Sequence, residues 1–334
     1  MKNKYIFFRT DRIGDFLLSA ILIKSIKRSD RNSFITVVAS KKNYLYIKNF
    51  SFVDQVILFP ESYFSKIIFY LRFMFKKFYL IALLDGKKRS LYFSLITRSK
   101  FKFLFTYKAF YKVLFKIFFT KIFYDNDSDN KISEIKNLLN FLSFNLDKSD
   151  LNTIDRSCVL ARNFNIPSTN KYILFHLDEK WIFNDYIHTY KSIEPESAVI
   201  LIQFFEKLIL KTNNDLYIST GNLTNKFINF FKKNFIKIDQ NIYELQFKNN
   251  KVIFFDNMSF LQLEKLILNS TLLIACHGAP IHVAGSFNKK VIDIIDTSEE
   301  DFFNKWTAHF RDYNFCLRTN FTNLSKNILI SLDN

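Results

Sequence analysis

Tyr5-Ile6-Phe7-Phe8-Arg9-Thr10-Asp11-Arg12-Ile13-Gly14-Asp15-Phe16-Leu17-Leu18 passes from an apolar run through a polar turn into a segment of helical period. Residues 5–8 read as a strand, and from about Asp15 onward Phe16, Ala20, Ile23 and Ile26 share one face at helical spacing. A strand feeding a helix through a short loop is the unit of a parallel α/β sheet, and the pattern repeats. Strands are expected at 34–39, 55–59 and 79–84, and a helix at 131–144. Segment 147–170 loses this regularity and contains Pro167, which places a domain junction there. A second series follows, with strands at 171–175, 215–219, 251–255, 271–276 and 291–295. Its helices are expected near 198–210, 223–233, 260–268 and 280–287. The expected fold is α/β, with two Rossmann-like domains facing each other across a cleft that the carboxyl ends of both sheets line. Domains are expected at 1–160 and 165–310, with 311–334 a tail packing back on the first.

Composition agrees with this reading. At 334 residues the chain is long for one hydrophobic core. With 49% apolar and 24% charged residues it can fill two, which excludes a disordered chain. Cys158, Cys276 and Cys316 are odd in number and far apart, offering neither a disulfide framework nor a zinc site. The opening residues set only 5–8 between charges, too short for a signal peptide, so a cytoplasmic location is expected. The stretch free of charge at 266–288 carries Asn269, Ser270, His277, Gly278, Pro280 and His282, which argues against a membrane span.

The formal charge of +17 is unevenly spread. Between Glu61 and Tyr124, fourteen Lys and Arg oppose only Glu61 and Asp85, leaving +12 in one segment. It is crowded with aromatics, as in Phe73-Met74-Phe75-Lys76-Lys77-Phe78-Tyr79 and Phe101-Lys102-Phe103-Leu104-Phe105. A basic aromatic surface favours an anionic membrane face or a phosphorylated acceptor. A coding bias toward Phe, Lys, Asn and Ile would produce the same composition.

Three loops that follow expected strands carry chemistry. In the first, Gly14 allows a close turn, and Asp15 falls in the first helical turn, where the helix dipole favours an ionised carboxylate. Asp15 is therefore a candidate general base, set against a simple helix cap. In the second, a strand stops at Cys276-His277-Gly278-Ala279 and Pro280 opens a helix carrying His282. Proline at a helix start preceded by small residues leaves backbone N–H groups to cradle a phosphate, and His282 could add a donor; the alternative is two satisfied interior histidines. In the third, His176-Leu177-Asp178-Glu179-Lys180-Trp181, Lys180 offers a compact positive charge for a diphosphate, or a solvated surface charge. The acidic run Asp125-Asn126-Asp127-Ser128-Asp129-Asn130 resembles the start of a calcium loop, but Asn130 and Lys136 stand where Gly and Glu are needed. It reads as a solvated loop, and neither a metal nor another cofactor is expected.

Together these loops resemble glycosyltransferase family 9, the heptosyltransferase-like enzymes. Arg9-x-Asp11-Arg12-Ile13-Gly14-Asp15-x-Leu17-Leu18 is similar to the family's N-terminal signature. His277-Gly278-Ala279-Pro280-Ile281-His282-Val283-Ala284, followed by Val291-Ile292, resembles its donor-binding motif. Leu83-Leu84-Asp85-Gly86-Lys87-Lys88-Arg89-Ser90 resembles a further stretch of its N-terminal domain. The resemblance implies a GT-B fold and inverting, metal-independent transfer from a nucleotide sugar. On that basis Asp15 is the catalytic base. Gly14, Lys180, His277, Gly278, Ala279, Pro280 and His282 bind the donor, and Arg12, Lys87, Lys88 and Arg89 the acceptor. The implied partners are a nucleotide-sugar donor, ADP-heptose among them, and an anionic, lipid-linked acceptor such as lipopolysaccharide. Peripheral contact with the inner face of the cytoplasmic membrane goes with such an acceptor. The chain departs from the family at His277, where Asp is usual, and at Ala279, where Gly is usual. After Gly221 it has Asn222, Thr224 and Asn225 where an acidic residue for the ribose is expected.

Two other classes share these features. A nucleotide-sugar epimerase or hydrolase of the same architecture would turn over donor without an acceptor. A non-catalytic basic module would bind anionic membrane or nucleic acid, the latter with a steep salt dependence. No recognised nucleic-acid module is visible, and nucleic acid is not an expected partner.

Overall fold

The computed structural model describes residues 2–127, 130–167, 170–181, 193–221 and 226–333. They form two compact units, Met1–Thr153 and Ile154–Asn334.

The first unit runs β1 (Asn3–Arg9), α1 (Ile13–Ser29), β2 (Ser33–Ala39), α2 (Tyr44–Ile47), β3 (Gln55–Leu58), α3 (Tyr63–Met74), β4 (Lys77–Leu83), α4 (Lys88–Ile96), β5 (Arg98–Thr106), α5 (Ala109–Leu114), β6 (Lys121–Tyr124) and α6 (Lys131–Phe141). All strand pairs are parallel, in the order β3-β2-β1-β4-β5-β6. Tyr5, Ile6, Phe7 and Phe8 are all buried because a strand in such a sheet is covered on both faces, so it reads as an unbroken apolar run. Strand order reverses between β1 and β4. The loops leaving these two strands are neighbours at the edge where open α/β sheets bind ligands.

The segment expected as a basic aromatic surface is only partly one. Phe69 and Phe73 of α3, Leu91 and Phe93 of α4 and Tyr111 of α5 join Phe8, Ile81 and Leu104 of the sheet in one core cluster. Residues 98–106 form β5, an interior strand, with Phe103 and Leu104 fully buried. Lys102 lies along it, its ammonium donating to the Ser94 carbonyl, and burial lowers its pKa. The acidic loop is likewise not wholly solvated. Asp125 is buried and pairs with Lys131, which also reaches Glu134 at 3.1 Å, while 128 and 129 lie outside the described residues.

The second unit runs α7 (Arg156–Leu160), β7 (Tyr172–Leu177), α8 (Ala198–Thr212), β8 (Asp215–Thr220), α9 (Lys226–Asn234), β9 (Ile236–Asp239), β10 (Ile242–Phe247), β11 (Asn250–Phe255), α10 (Phe260–Asn269), β12 (Leu272–Cys276), α11 (Ala279–Ser286), β13 (Lys290–Ile295), α12 (Glu300–Thr307), β14 (Tyr313–Leu317) and α13 (Phe321–Ser331). Its sheet is ordered β14-β13-β12-β7-β8-β11-β10-β9, antiparallel only where β10 meets β11 and β9. Setting β9 and β10 aside, the order repeats that of the first sheet, with the switch point between β7 and β12. Phe175, Trp181, Phe204, Phe205, Phe231 and Phe254 anchor its core. Helix ends are fixed locally: the Ser197 hydroxyl accepts from Ile200 N–H at the start of α8, and Ser259 and Gln262 form a reciprocal capping box on α10.

Two boundaries differ from expectation. The second unit begins at Ile154, because Ile154 N–H donates to the Ser286 hydroxyl (3.0 Å) and Arg156 to the Phe287 carbonyl (2.5 Å). The segment expected as a tail completes this unit, since β14 pairs with β13, and Phe321, Leu324 and Ile328 of α13 enter its core. Among the described residues no helix is long and apolar enough to cross a membrane.

Candidate functional site

At the switch point of the first sheet, the loops after β1 and β4 are tied by charge. Arg9, at the end of β1, is buried and donates to the Leu84 carbonyl, to Asp11 (3.3 Å) and to the Asp15 carbonyl (3.0 Å). Lys87 pairs with Asp11 and donates to the Thr10 carbonyl at 3.2 Å. The Arg89 guanidinium donates to the Thr10 hydroxyl at 2.6 Å and lies 5.1 Å from the Phe59 ring. Asp85 is the hub, accepting from the hydroxyls of Thr10 and Ser90. Burial raises its pKa, opposed by those two hydrogen bonds.

Asp15 sits on the rim of this network, half-buried, in the first turn of α1. One carboxylate oxygen accepts from Arg12 N–H at 3.1 Å, as a capping residue does, and the other lies 3.8 Å from the Arg9 guanidinium. Capping holds the carboxylate in place at the positive end of the helix, so the capping and the catalytic readings coexist. Gly14 lies inside α1 rather than in a turn before it. The glycine that a turn needs is Gly86, with φ +56° and so little room that an added methyl would lie 2.8 Å from the Phe105 carbonyl oxygen. Lys87 caps α4, and Arg12 and Lys88 are exposed. Tyr107, directly after β5, is exposed and lies within electrostatic reach of Arg9 and Asp15. Nothing in the sequence pointed to it, because β5 itself was not legible.

The second sheet brings the other two loops together at its own switch point. Lys180 follows β7, and its ammonium donates to the His277 carbonyl after β12. Asp178 lies 3.8 Å from that ammonium and accepts from Lys180 N–H at 3.0 Å; Arg318 holds the Lys180 carbonyl at 2.7 Å. A methyl group on Gly278 would lie 2.6 Å from Lys180 Nζ, so the missing side chain is what lets the lysine in. Gly278 is the N-cap of α11, with Ala279 first and Pro280 second in the helix, one position later than the sequence suggested for proline. The Gly278 and Ala279 N–H groups and the positive dipole end of α11 therefore adjoin a lysine ammonium, an arrangement suited to an anion, while Ile281 N–H donates to the Gly278 carbonyl at 3.1 Å.

His277 and His282 are placed differently from one another. His277 Nδ1 donates to Asp293 at 2.6 Å, and Asp293 also accepts from the Tyr313 hydroxyl at 2.9 Å. The His277 ring stacks on Phe303, centroids 3.7 Å apart. His282 is buried edge-on among His277, Trp306 and Phe310. Asp293 was missed, although an acid within Val291-Ile292-Asp293-Ile294-Ile295 was a visible signal, since a fully buried carboxylate must have partners. Beneath the same sheet edge, burial and the Lys180 charge lower the pKa of His176 to about 4, and its Nδ1 lies 2.9 Å from the Ser219 hydroxyl. Positions 222–225, where an acid for the ribose was sought, lie outside the described residues. Among the described residues no group of three or more His, Cys, Asp or Glu is arranged to hold a metal.

No protein-family model matches the chain, and no curated protein matches it. Solved structures do. The E. coli heptosyltransferase WaaC with ADP matches with a TM-score of 0.67 at 9% identity, over 98% of this chain and 99% of that one. A glycosyl transferase family 9 protein from Veillonella parvula matches with a TM-score of 0.63 at 13% identity, over 98% and 89%. The UDP-GlcNAc 2-epimerase from Methanocaldococcus jannaschii follows at 0.58 and 9%, over 100% and 92%. The chain thus has the two-unit GT-B fold of these enzymes, and the solved structures with TM-scores of 0.67 and 0.63 are a heptosyltransferase and a protein of the family that its motifs resemble.

Proposed function

We propose that this chain is an inverting, metal-independent glycosyltransferase that moves a sugar, with heptose the first to test, from a nucleotide-sugar donor to a lipopolysaccharide or other surface-glycan acceptor. The observation that carries the reading is the meeting of Lys180, Gly278 and the N-terminus of α11 at one switch point. Such a cradle suits the diphosphate of a nucleotide sugar, whose charge grows as the sugar leaves.

In this reading the acceptor hydroxyl oxygen attacks the anomeric carbon, and the bond from that carbon to the diphosphate oxygen breaks. Asp15 takes the hydroxyl proton, and the nucleoside diphosphate leaves with the bonding electrons. Gly14, Lys180, the N–H groups at the start of α11 and His277, Gly278, Ala279, Pro280 and His282 hold the donor. Arg12, Lys87, Lys88 and Arg89 supply the charge for an anionic acceptor. A lipid-linked acceptor brings the enzyme to the inner face of the cytoplasmic membrane.

The first experiment is a thermal-shift panel of nucleotide sugars, where a ligand at 100 times its Kd stabilises by about 2.7 kcal/mol. Transfer by the Asp15→Asn variant then tests the base. The amide oxygen can still accept from Arg12 N–H, so folding and donor binding are expected to hold while transfer falls ~10²–10⁴-fold. Full transfer by this variant refutes the role of Asp15. Donor turnover at the full rate without any acceptor favours an epimerase or hydrolase instead.

A further inference from the structure

Helix α3 is apolar on two sides. Phe69 and Phe73 point into the core, yet Phe64, Ile67, Ile68, Leu71 and Phe75, spaced three or four residues apart, form a second stripe that faces solvent. Phe64 is 71% exposed and Phe75 84%. Helices α4 and α5 pack on the same core cluster, and their outer sides continue the surface. Tyr92, Leu95 and Ile96 are exposed on α4, and Phe110, Val113 and Leu114 on α5. Just past α5, Ile117 is 86% exposed. More than half of the exposed large apolar side chains among the described residues lie between Tyr63 and Phe118. Soluble surfaces do not ordinarily spend so many apolar groups on water, and a contiguous patch of them marks an interaction site.

The charge around the patch names the partner. None of the three helices contains Asp or Glu, whereas Arg72 on α3, Lys112 on α5 and Lys76, Lys77, Lys108 and Lys116 in the adjoining segments are exposed, Lys112 pairing with Asp127 at 2.6 Å. A second copy of the chain would bring two such basic faces together, which like-charge repulsion opposes. Nucleic acid would leave the apolar side chains wet. An anionic bilayer takes both: apolar groups enter the acyl boundary while lysine and arginine heads meet the phosphates. We infer that the outer face of α3, α4 and α5 is a docking surface for an anionic membrane. The inference deepens the proposed function, because it places the acceptor's membrane against a defined face of the first unit.

Vesicle co-sedimentation tests it. The protein is expected to pellet with phosphatidylcholine vesicles that contain about a third phosphatidylglycerol, and to stay in the supernatant with phosphatidylcholine alone. Two double variants, Phe64→Glu with Leu71→Glu and Val113→Glu with Ile117→Glu, alter only exposed side chains. They are expected to lose vesicle binding while Tm and the Tm shift caused by ADP stay unchanged. Replacing Arg72, Lys76 and Lys116 by Gln should weaken partition about fivefold per charge removed. The inference is overturned by protein that stays in solution with anionic vesicles or binds neutral and anionic ones equally. A dimer detected by light scattering that the Glu variants dissociate also overturns it. Vesicle binding without a Tm shift from any nucleotide sugar of the panel leaves the docking surface standing and counts against glycosyl transfer alone.

Discussion

Gly278→Ala isolates the lysine from everything else in the cradle. The Gly278 backbone is extended, at φ 166°, so alanine introduces no strain, and the only crowded neighbour is the far end of a flexible side chain. A methyl group 2.6 Å from Lys180 Nζ must push the ammonium off the His277 carbonyl. The lost Lys180–His277 hydrogen bond is expected to cost no more than about 1.5–3 kcal/mol of stability. A hydrogen bond to a charged group contributes about 1.5–3 kcal/mol, so the affinity for ADP or a nucleotide sugar should fall about 10- to 150-fold. Calorimetric titration with ADP measures the loss. A double-mutant cycle with Lys180→Met measures its route, since the alanine acts through the lysine and should add almost nothing once the lysine is gone. ADP affinity within about twofold of wild type in Gly278→Ala, or full additivity in the cycle, sinks the assignment of Lys180 to the diphosphate.

Two further outcomes concern stability. His176 is buried with its pKa lowered to about 4, and burial lowers that of His309 to about 4 as well. An unfolded histidine takes up its proton near pH 6.5, so the unfolded state binds more protons between pH 6.5 and 4. Stability is therefore fully present above pH 6.5 and lost as pH falls toward 4, by about 3 kcal/mol for His176. Urea midpoints across that range check this, and a His176→Gln variant with an equally steep decline would refute the assignment. Gly86→Ala meets both a left-handed backbone and the Phe105 carbonyl 2.8 Å away, so a loss of about 1–3 kcal/mol is expected, against near neutrality for Gly221→Ala, which has open space.

Much of both sheets could be read from the chain because parallel strands covered on both faces are written as short apolar runs. Tyr5-Ile6-Phe7-Phe8 and Leu272-Leu273-Ile274-Ala275-Cys276 show this directly. What they left out has a common cause. In Arg98-Ser99-Lys100-Phe101-Lys102-Phe103-Leu104-Phe105-Thr106 lysines alternate with aromatics, so β5 reads as a basic surface although it is an interior strand. Tyr313 to Leu317 carries Asn314 and only a partly buried pattern, which hid β14 and made a tail of what is the rim of the second sheet.

The sequence by itself determined which residues stand in the loops and first helical turns after the strands, because local period fixes where a strand stops and a helix starts. It therefore named Asp15, Lys180 and Gly278. Only the tertiary structure decided which loops are neighbours, since Thr10 meets Asp85 across 75 positions and Lys180 meets His277 across 97. It also decided that Asp293 backs His277, and that α3 presents one apolar face to the core and another to solvent. Strand order and packing are long-range choices that local periodicity does not encode.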